Sequence, residues 1–353
     1  MKASAYQLAL SMAAVNPLPE RSAPALPLFM SASALVARRA VSDFHVLGVI
    51  GFGDGTRIDA DPGFPAFSLP MQPLGGSGLV EVWTSAEPVV YGQFGRIRFA
   101  ANKQILFGGL HLWEHEHDTP EQAAYHAYQS VLELIGARGY PHLLRMWNYF
   151  PGINDSFLGL ERYQHFCLGR YQAFVEHSYA FDRDLPAASA IGIQGAGLWV
   201  YFLAGRMPGL QIENPRQISA YRYPRRYGPR SPSFSRATLA NFAGEQQLYL
   251  SGTASIVGHE TRHPDDTAAQ LRETITNIRT ILDHPALHSR LPLERLDGSS
   301  QLKVYVRHPA DFDLVSDLLI QAVGPNCPIL YLQGDICRRD LLLEIEGVIG
   351  LPR

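Results

Sequence analysis

At 353 residues with 46% hydrophobic content, the chain is long enough for two ordinary domains and apolar enough to fill two cores. Its formal net charge of −3 leaves no overall basic field of the kind nucleic-acid binding needs, and no stretch approaches the roughly 20 apolar residues of a membrane span, so neither nucleic acid nor membrane is expected as a partner. Three cysteines, Cys167, Cys327 and Cys337, cannot all pair and are too few for a disulfide framework, which points to a reducing, cytoplasmic compartment.

Residues 1–45 are rich in Ala, Pro and Ser and read as an extended lead-in without chemistry. Lys2 and the run to Leu10 make a poor signal peptide, with one positive charge and a break at Gln7. From His45 to Phe99 short apolar runs alternate with Gly and Pro, at 45–50, 79–83, 89–91 and 97–99, and predict strands joined by turns.

A longer pattern then appears twice. Gln104 to Gly109 reads as a strand ending in glycine, and Asp118-Thr119-Pro120-Glu121-Gln122 opens an amphipathic helix to about Ile135 that stops by Gly139. Gln247 to Gly252 and Asp266-Thr267-Ala268-Ala269-Gln270 repeat that grammar, with a helix to about Leu282. Each is followed by a strand (143–149; 301–307), a second helix (160–177; 312–323) and a hairpin-like pair of strands (190–203; 329–345). A strand-strand-helix-strand-helix-strand-strand unit used twice is a duplication signature, not a short solenoid period. The expected organisation is an α+β chain of a lead-in over 1–45, a domain over 46–215 and a second over 216–353.

Between the halves, Gln217 to Arg236 packs five arginines and three tyrosines into a proline-stiffened segment. Such a loop can present guanidinium forks and phenol hydroxyls to a small carboxylate, or it can be a solvated linker; disordered linkers lack this aromatic content. His111, His115 and His117 would share one face of a strand and could hold a metal, although the same residues suit a charged turn before a helix. No phosphate loop, dinucleotide fingerprint or serine-hydrolase elbow is present.

The ending, Asp335 to Gly347, carries Glu344 and Glu346 at alternate positions of the apolar run Leu341-Leu342-Leu343-Glu344-Ile345. On a strand both point to one face. Either they are solvated at a sheet edge, or at least one lines a polar cavity, where burial raises its pKa towards that of a general acid at neutral pH.

Leu248 to Ser255, the helix from Asp266 and the ending from Cys337 to Glu346 resemble the RidA/YjgF (chorismate-mutase-like) fold. Arg145 to Asn154, Tyr223 to Arg236, the Gly252 strand and the Cys337/Glu344 pair together resemble the chorismatases, which are built from two RidA-like halves in one chain. The resemblance implies two tandem halves with mixed sheets and helices packed on one face. It implies conversion of chorismate to 3-hydroxybenzoate, or to 4-hydroxybenzoate beside it, with release of pyruvate, Glu344 being the general acid. Gly252 with Cys337 matches the hydroxybenzoate-forming branch of the family. Loop chemistry and the resemblance together nominate Arg162, Tyr221, Tyr227 and Arg236 for the substrate carboxylates. No metal, nucleotide or flavin cofactor is implied, and a duplicated chain that builds its own junction is expected to be a monomer. Two other readings stand beside this one: a tandem RidA-type imine deaminase, although Leu330-Tyr331 replace that family's arginine, and a non-catalytic sensor of aromatic acids.

Overall fold

The computed structural model describes residues 26–31, 35, 45–53, 63–76, 78–242, 245–287 and 291–351, so most of the expected lead-in lies outside the described residues. The strands are β1 (Leu26–Ser31), β2 (His45–Phe52), β3 (Ala66–Leu69), β4 (Leu79–Ser85), β5 (Val90–Phe94), β6 (Ile97–Ala101) and β7 (Ile105–Leu112). Helix α1 (Pro120–Arg138), β8 (His142–Pro151), α2 (Arg162–Glu176), β9 (Ala187–Ile193) and β10 (Leu198–Gly205) complete the first half. The second half holds β11 (Leu210–Ile212), β12 (Ala237–Phe242), β13 (Glu245–Thr253), α3 (Thr267–Leu282), β14 (Ser300–Val306), α4 (Phe312–Val323), β15 (Ile329–Gln333) and β16 (Leu343–Leu351).

The helices start where the sequence signals them. Thr119 accepts a hydrogen bond from the Gln122 amide with Pro120 in the first turn of α1, and the Asp266 carboxylate accepts from the Ala269 amide at the start of α3.

The duplication is visible in the strand order. The first half forms a six-stranded sheet β5-β6-β7-β10-β8-β9, and the second repeats it as β11-β12-β13-β16-β14-β15, extended beyond β15 by Pro73–Leu74. Its first strand, β11, begins at Leu210. In each half the strand after the second helix pairs in parallel with the strand before it (β9 on β8, β15 on β14). The final strand therefore does not close a hairpin with its predecessor: β10 sits on the far side of β8, and β16 on the far side of β14. The short connections at 194–197 and 334–342 look like hairpin turns in sequence, yet they cross over a strand.

A third sheet, β1-β4-β2-β3, repeats the last four positions of that order, including a parallel β2–β3 pair. The helical faces of the two large sheets enclose separate cores, one under α1 and α2 and one under α3 and α4. The opposite faces of all three sheets meet in a central core containing Trp83, Trp147, Tyr149, Tyr201 and Tyr305. Among the described residues no helix is long and apolar enough to cross a membrane.

Helices α1 and α2 approach closely at Gly169, where an added Cβ would lie 2.0 Å from the Glu121 carbonyl oxygen and 2.8 Å from the Tyr125 amide. Backbone cannot rotate out of the way as a side chain can. Gly169→Ala should therefore cost about 1–3 kcal/mol by overpacking, read as a lower urea midpoint with an unchanged slope.

Candidate active site

A cavity of about 550 Å³ opens at the junction of the two halves. The first half contributes Ala188, Ser189 and Ala190 from β9 and Tyr163, Gln164 and Arg170 from α2. The second contributes Gly252 from β13, Glu344 from β16, Cys337 and Arg338 from the loop before it, and Tyr223, Tyr227 and Arg236 from the Arg/Tyr-rich segment.

Glu344 and Glu346 lie inside the protein, 4% and 1% exposed, because β16 runs between β13 and β14 and not along an edge. The solvated-edge alternative fails on that placement. Their environments differ. Glu346 Oε1 accepts from Lys303 Nζ (2.9 Å) and Trp147 Nε1 (2.8 Å), while Oε2 accepts from Arg145 Nη2 (2.6 Å) and from the Ser189 hydroxyl. Burial opposes its charge, but Lys303, Arg145 and these donors hold its carboxyl below the usual range. Glu344 gains no such set. Burial, and then the charge of Glu346, push its pKa to about 8 against the pull of Arg145 and Arg236, so at neutral pH it carries a proton.

Local backbone geometry places the acid. The β13–β16 register shifts between Leu250 and Thr253, and Gly252 lies in that irregularity with its amide donating to Ser189 Oγ at 3.1 Å. A Cβ on Gly252 would stand 1.8 Å from Glu344 Oε1, so the carboxyl occupies the space a side chain would fill. Cys337 lines the same cavity. Burial, followed by the nearness of Glu344, raises its thiol to about 12 despite Arg338, and a thiol held neutral in this way is no activated nucleophile.

The nominated carboxylate ligands divide. Tyr227 and Arg236 line the cavity. Arg236 is 5% exposed, donates from Nη2 to the Ile218 carbonyl (2.9 Å) and the Tyr223 hydroxyl (2.7 Å), and leaves Nε without a partner. Arg338 stacks over the Tyr227 ring at 4.2 Å. The segment is thus a cavity wall and not a solvated linker. Arg162 is elsewhere: it pairs with Glu114, donates to the Pro151 carbonyl (2.9 Å) and lines a separate, mostly apolar cavity of about 270 Å³ between α1 and α2. Tyr221 packs against the α1–α2 core and carries Arg222 over its ring at 5.5 Å, outside the main cavity.

Sequence reasoning missed Arg170, whose signal was present. It occupies an apolar-stripe position of α2 with Phe166 and Phe174 and is 1% exposed. Its Nη2 reaches Cys167 Sγ at 3.8 Å, its guanidinium lies over Phe166, and its Nε lacks a partner. Among the described residues neither Arg170 nor Arg236 has a carboxylate within ion-pair distance. Ser189 and Arg145 were missed as well, since only the folded chain brings them to Glu346.

The histidine cluster is also rearranged. His111 ends up on β7, stacked on Trp199 at 3.7 Å and bonded to the Ala196 carbonyl, while residues 114–116 form a 3₁₀ turn that removes His115 and His117 from that face. Among the described residues no three His, Cys, Asp or Glu side chains are grouped as a metal site.

The family model described as chorismatase FkbO/Hyg5-like, N-terminal, matches residues 81–204. A 3-hydroxybenzoate synthase of Streptomyces hygroscopicus is 37% identical over 314 residues, which covers 86% of this chain and 92% of that protein. A chorismatase of Streptomyces rapamycinicus is 37% identical over 321 residues, covering 87% and 93%. The crystal structure of a chorismatase superposes with a TM-score of 0.82 at 33% identity, covering 92% of this chain and 98% of that one. Being 37% identical to the two Streptomyces proteins over 86% and 87% of its length, the chain is a member of the chorismatase family.

Proposed function

We propose that the chain converts chorismate to 3-hydroxybenzoate and pyruvate. The observation that carries this reading is a protonated carboxyl, Glu344, facing a cavity whose buried guanidiniums, Arg170 and Arg236, make no ion pair among the described residues, although Arg236 feels the charge of Glu213. Buried charges without counterions cost several kcal/mol, which a ligand bearing two carboxylates repays. Chorismate is such a ligand, and its enol ether is a group that an acid activates.

In this mechanism Glu344 donates its proton to the methylene carbon of the enol ether, and the adjoining carbon becomes oxocarbenium-like. The ring hydroxyl attacks the neighbouring ring carbon that bears the ether; the bond from that carbon to the ether oxygen breaks with its electron pair kept by the oxygen, so pyruvate leaves as the keto acid, and the hydroxyl proton returns to Glu344. Opening of the resulting epoxide, with a ring proton moving to its oxygen, gives the aromatic acid. The atoms of substrate and products balance without water. Cys337, as a neutral thiol on the wall, shapes the pocket, and Gly252 leaves room for the acid. Both walls come from one chain, so a monomer is complete, which size-exclusion chromatography with light scattering checks.

Chromatography of products after incubation with chorismate tests the reading directly; a dihydrodiol product would place the chain in the hydrolytic branch, and no consumption would sink it. Glu344→Gln keeps shape and hydrogen bonding but removes the acid, and should slow turnover by at least ~10²-fold while substrate still binds. Because the acid form is the active one, wild-type kcat/KM should fall as pH rises through about 8. Arg170→Ala and Arg236→Ala should each weaken transition-state stabilisation by roughly 2 kcal/mol or more, read from kcat/KM. Gly252→Ala should displace the Glu344 carboxyl, lowering kcat more than it raises KM.

A further inference from the structure

We propose that Glu346 is a positioning residue whose fixed negative charge keeps the proton on Glu344 until substrate arrives. This rests on the reading of Glu344 as the acid. The supporting geometry is a closed charge balance. Glu346 and Glu81 face Lys303 and Arg145: Lys303 Nζ lies 2.9 Å from Glu346 Oε1 and 2.9 Å from Glu81 Oε2, and Arg145 Nη2 lies 2.6 Å from Glu346 Oε2. Two cations meet two carboxylates, each 5% exposed or less. Neither cation is left over for a third anion.

Glu344 is that third carboxyl, two residues along the same face of β16. The groups that surround it are Glu346 on its own strand, Tyr305 opposite on β14, Gly252 on β13, Arg145 on β8, Arg236 before β12, Tyr163 on α2 and Cys337 in the loop. Of the two cations, Arg145 is engaged by Glu346, and Arg236 spends its Nη2 on the Ile218 carbonyl and the Tyr223 hydroxyl. Ionised Glu344 would therefore sit beside an anion, with Arg145 already paired to Glu346 and the Arg236 Nη2 turned to neutral acceptors. Ser189 ties the arrangement together, donating to Glu346 while accepting from the Gly252 amide.

The test is a set of pH profiles of kcat/KM for chorismate consumption with a sign pattern that packing changes alone would not produce. Glu346→Gln leaves Lys303 and Arg145 in excess, so the alkaline limb should move to lower pH by at least one unit, about fivefold lost activity at the wild-type midpoint. Lys303→Gln leaves the carboxylates in excess, and the limb should move to higher pH. The double variant restores the balance and should return the limb to the wild-type position; being neutral overall, it also supplies a folded reference if either single variant is unstable by circular dichroism. Limbs that stay in place in the folded variants, or move in the same direction for both single changes, overturn the proposal. Undiminished turnover in Glu344→Gln would instead remove the acid assignment on which it rests.

Discussion

The constraint on which this structure depends is the placement of four charges in the dry centre where three sheets meet. Glu81 comes from the N-terminal sheet, Arg145 from the first half, and Lys303 and Glu346 from the second, so the network is also the joint between the three units. Hydrophobic burial would hold the sheets together without it. Charges in such a position cost desolvation energy that their mutual attraction scarcely recovers, and removing one partner typically costs about 3–5 kcal/mol. The network also ties the sheets to one another: Trp147, Ser189, Tyr201 and the two basic side chains are all hydrogen-bonded in this relative placement of the sheets. That placement sets β9 against β13 and so opens the cavity.

Three sheets of one strand order could in principle build three equivalent junctions, yet the large cavity with Glu344 on its wall opens at one. The strand that corresponds to β16 is β10 in the first half and β4 in the N-terminal sheet. The inward face of β10 carries Trp199, Tyr201 and Leu203, with Trp199 covered by His111. The inward face of β4 carries Glu81, whose charge is consumed by Lys303, and Trp83. Only β16 combines a fully paired carboxylate with a second carboxyl that meets a cavity. The repeated strand order supplies the framework, and aromatic side chains fill the corresponding faces of β10 and β4.

Much of this was legible in the sequence where the governing interactions are local. The caps Thr119 and Asp266, and the apolar stripe of α4 over 312–323, depend on neighbours a few residues away, and the elements appear where those signals stand. The alternation of Glu344 and Glu346 announced a shared face. The crossing of β10 over β8, by contrast, is decided by pairing between distant segments, so the connection at 194–197 reads as a hairpin and is not one. The N-terminal sheet escaped for a similar reason: its order is decided by pairing between segments distant in sequence, β1 with β4 and β4 with β2.

The division of the site residues follows the same physics. Arg162 and Tyr221 were chosen for residue type near the right segments, but residue type does not decide which of two cavities a guanidinium enters; Glu114 and the Pro151 carbonyl capture Arg162 first. Arg236 and Arg170 are distinguished by making no ion pair among the described residues, and a missing ion pair is visible only in three dimensions. One clue did exist in one dimension. An arginine on the apolar stripe of α2, flanked by Phe166 and Phe174, contradicts the pattern around it, and a charged residue that breaks a buried pattern must find an anion in its own fold or take one from a ligand. Arg170 finds none among the described residues, which is why its place in the pattern bears on what the cavity binds.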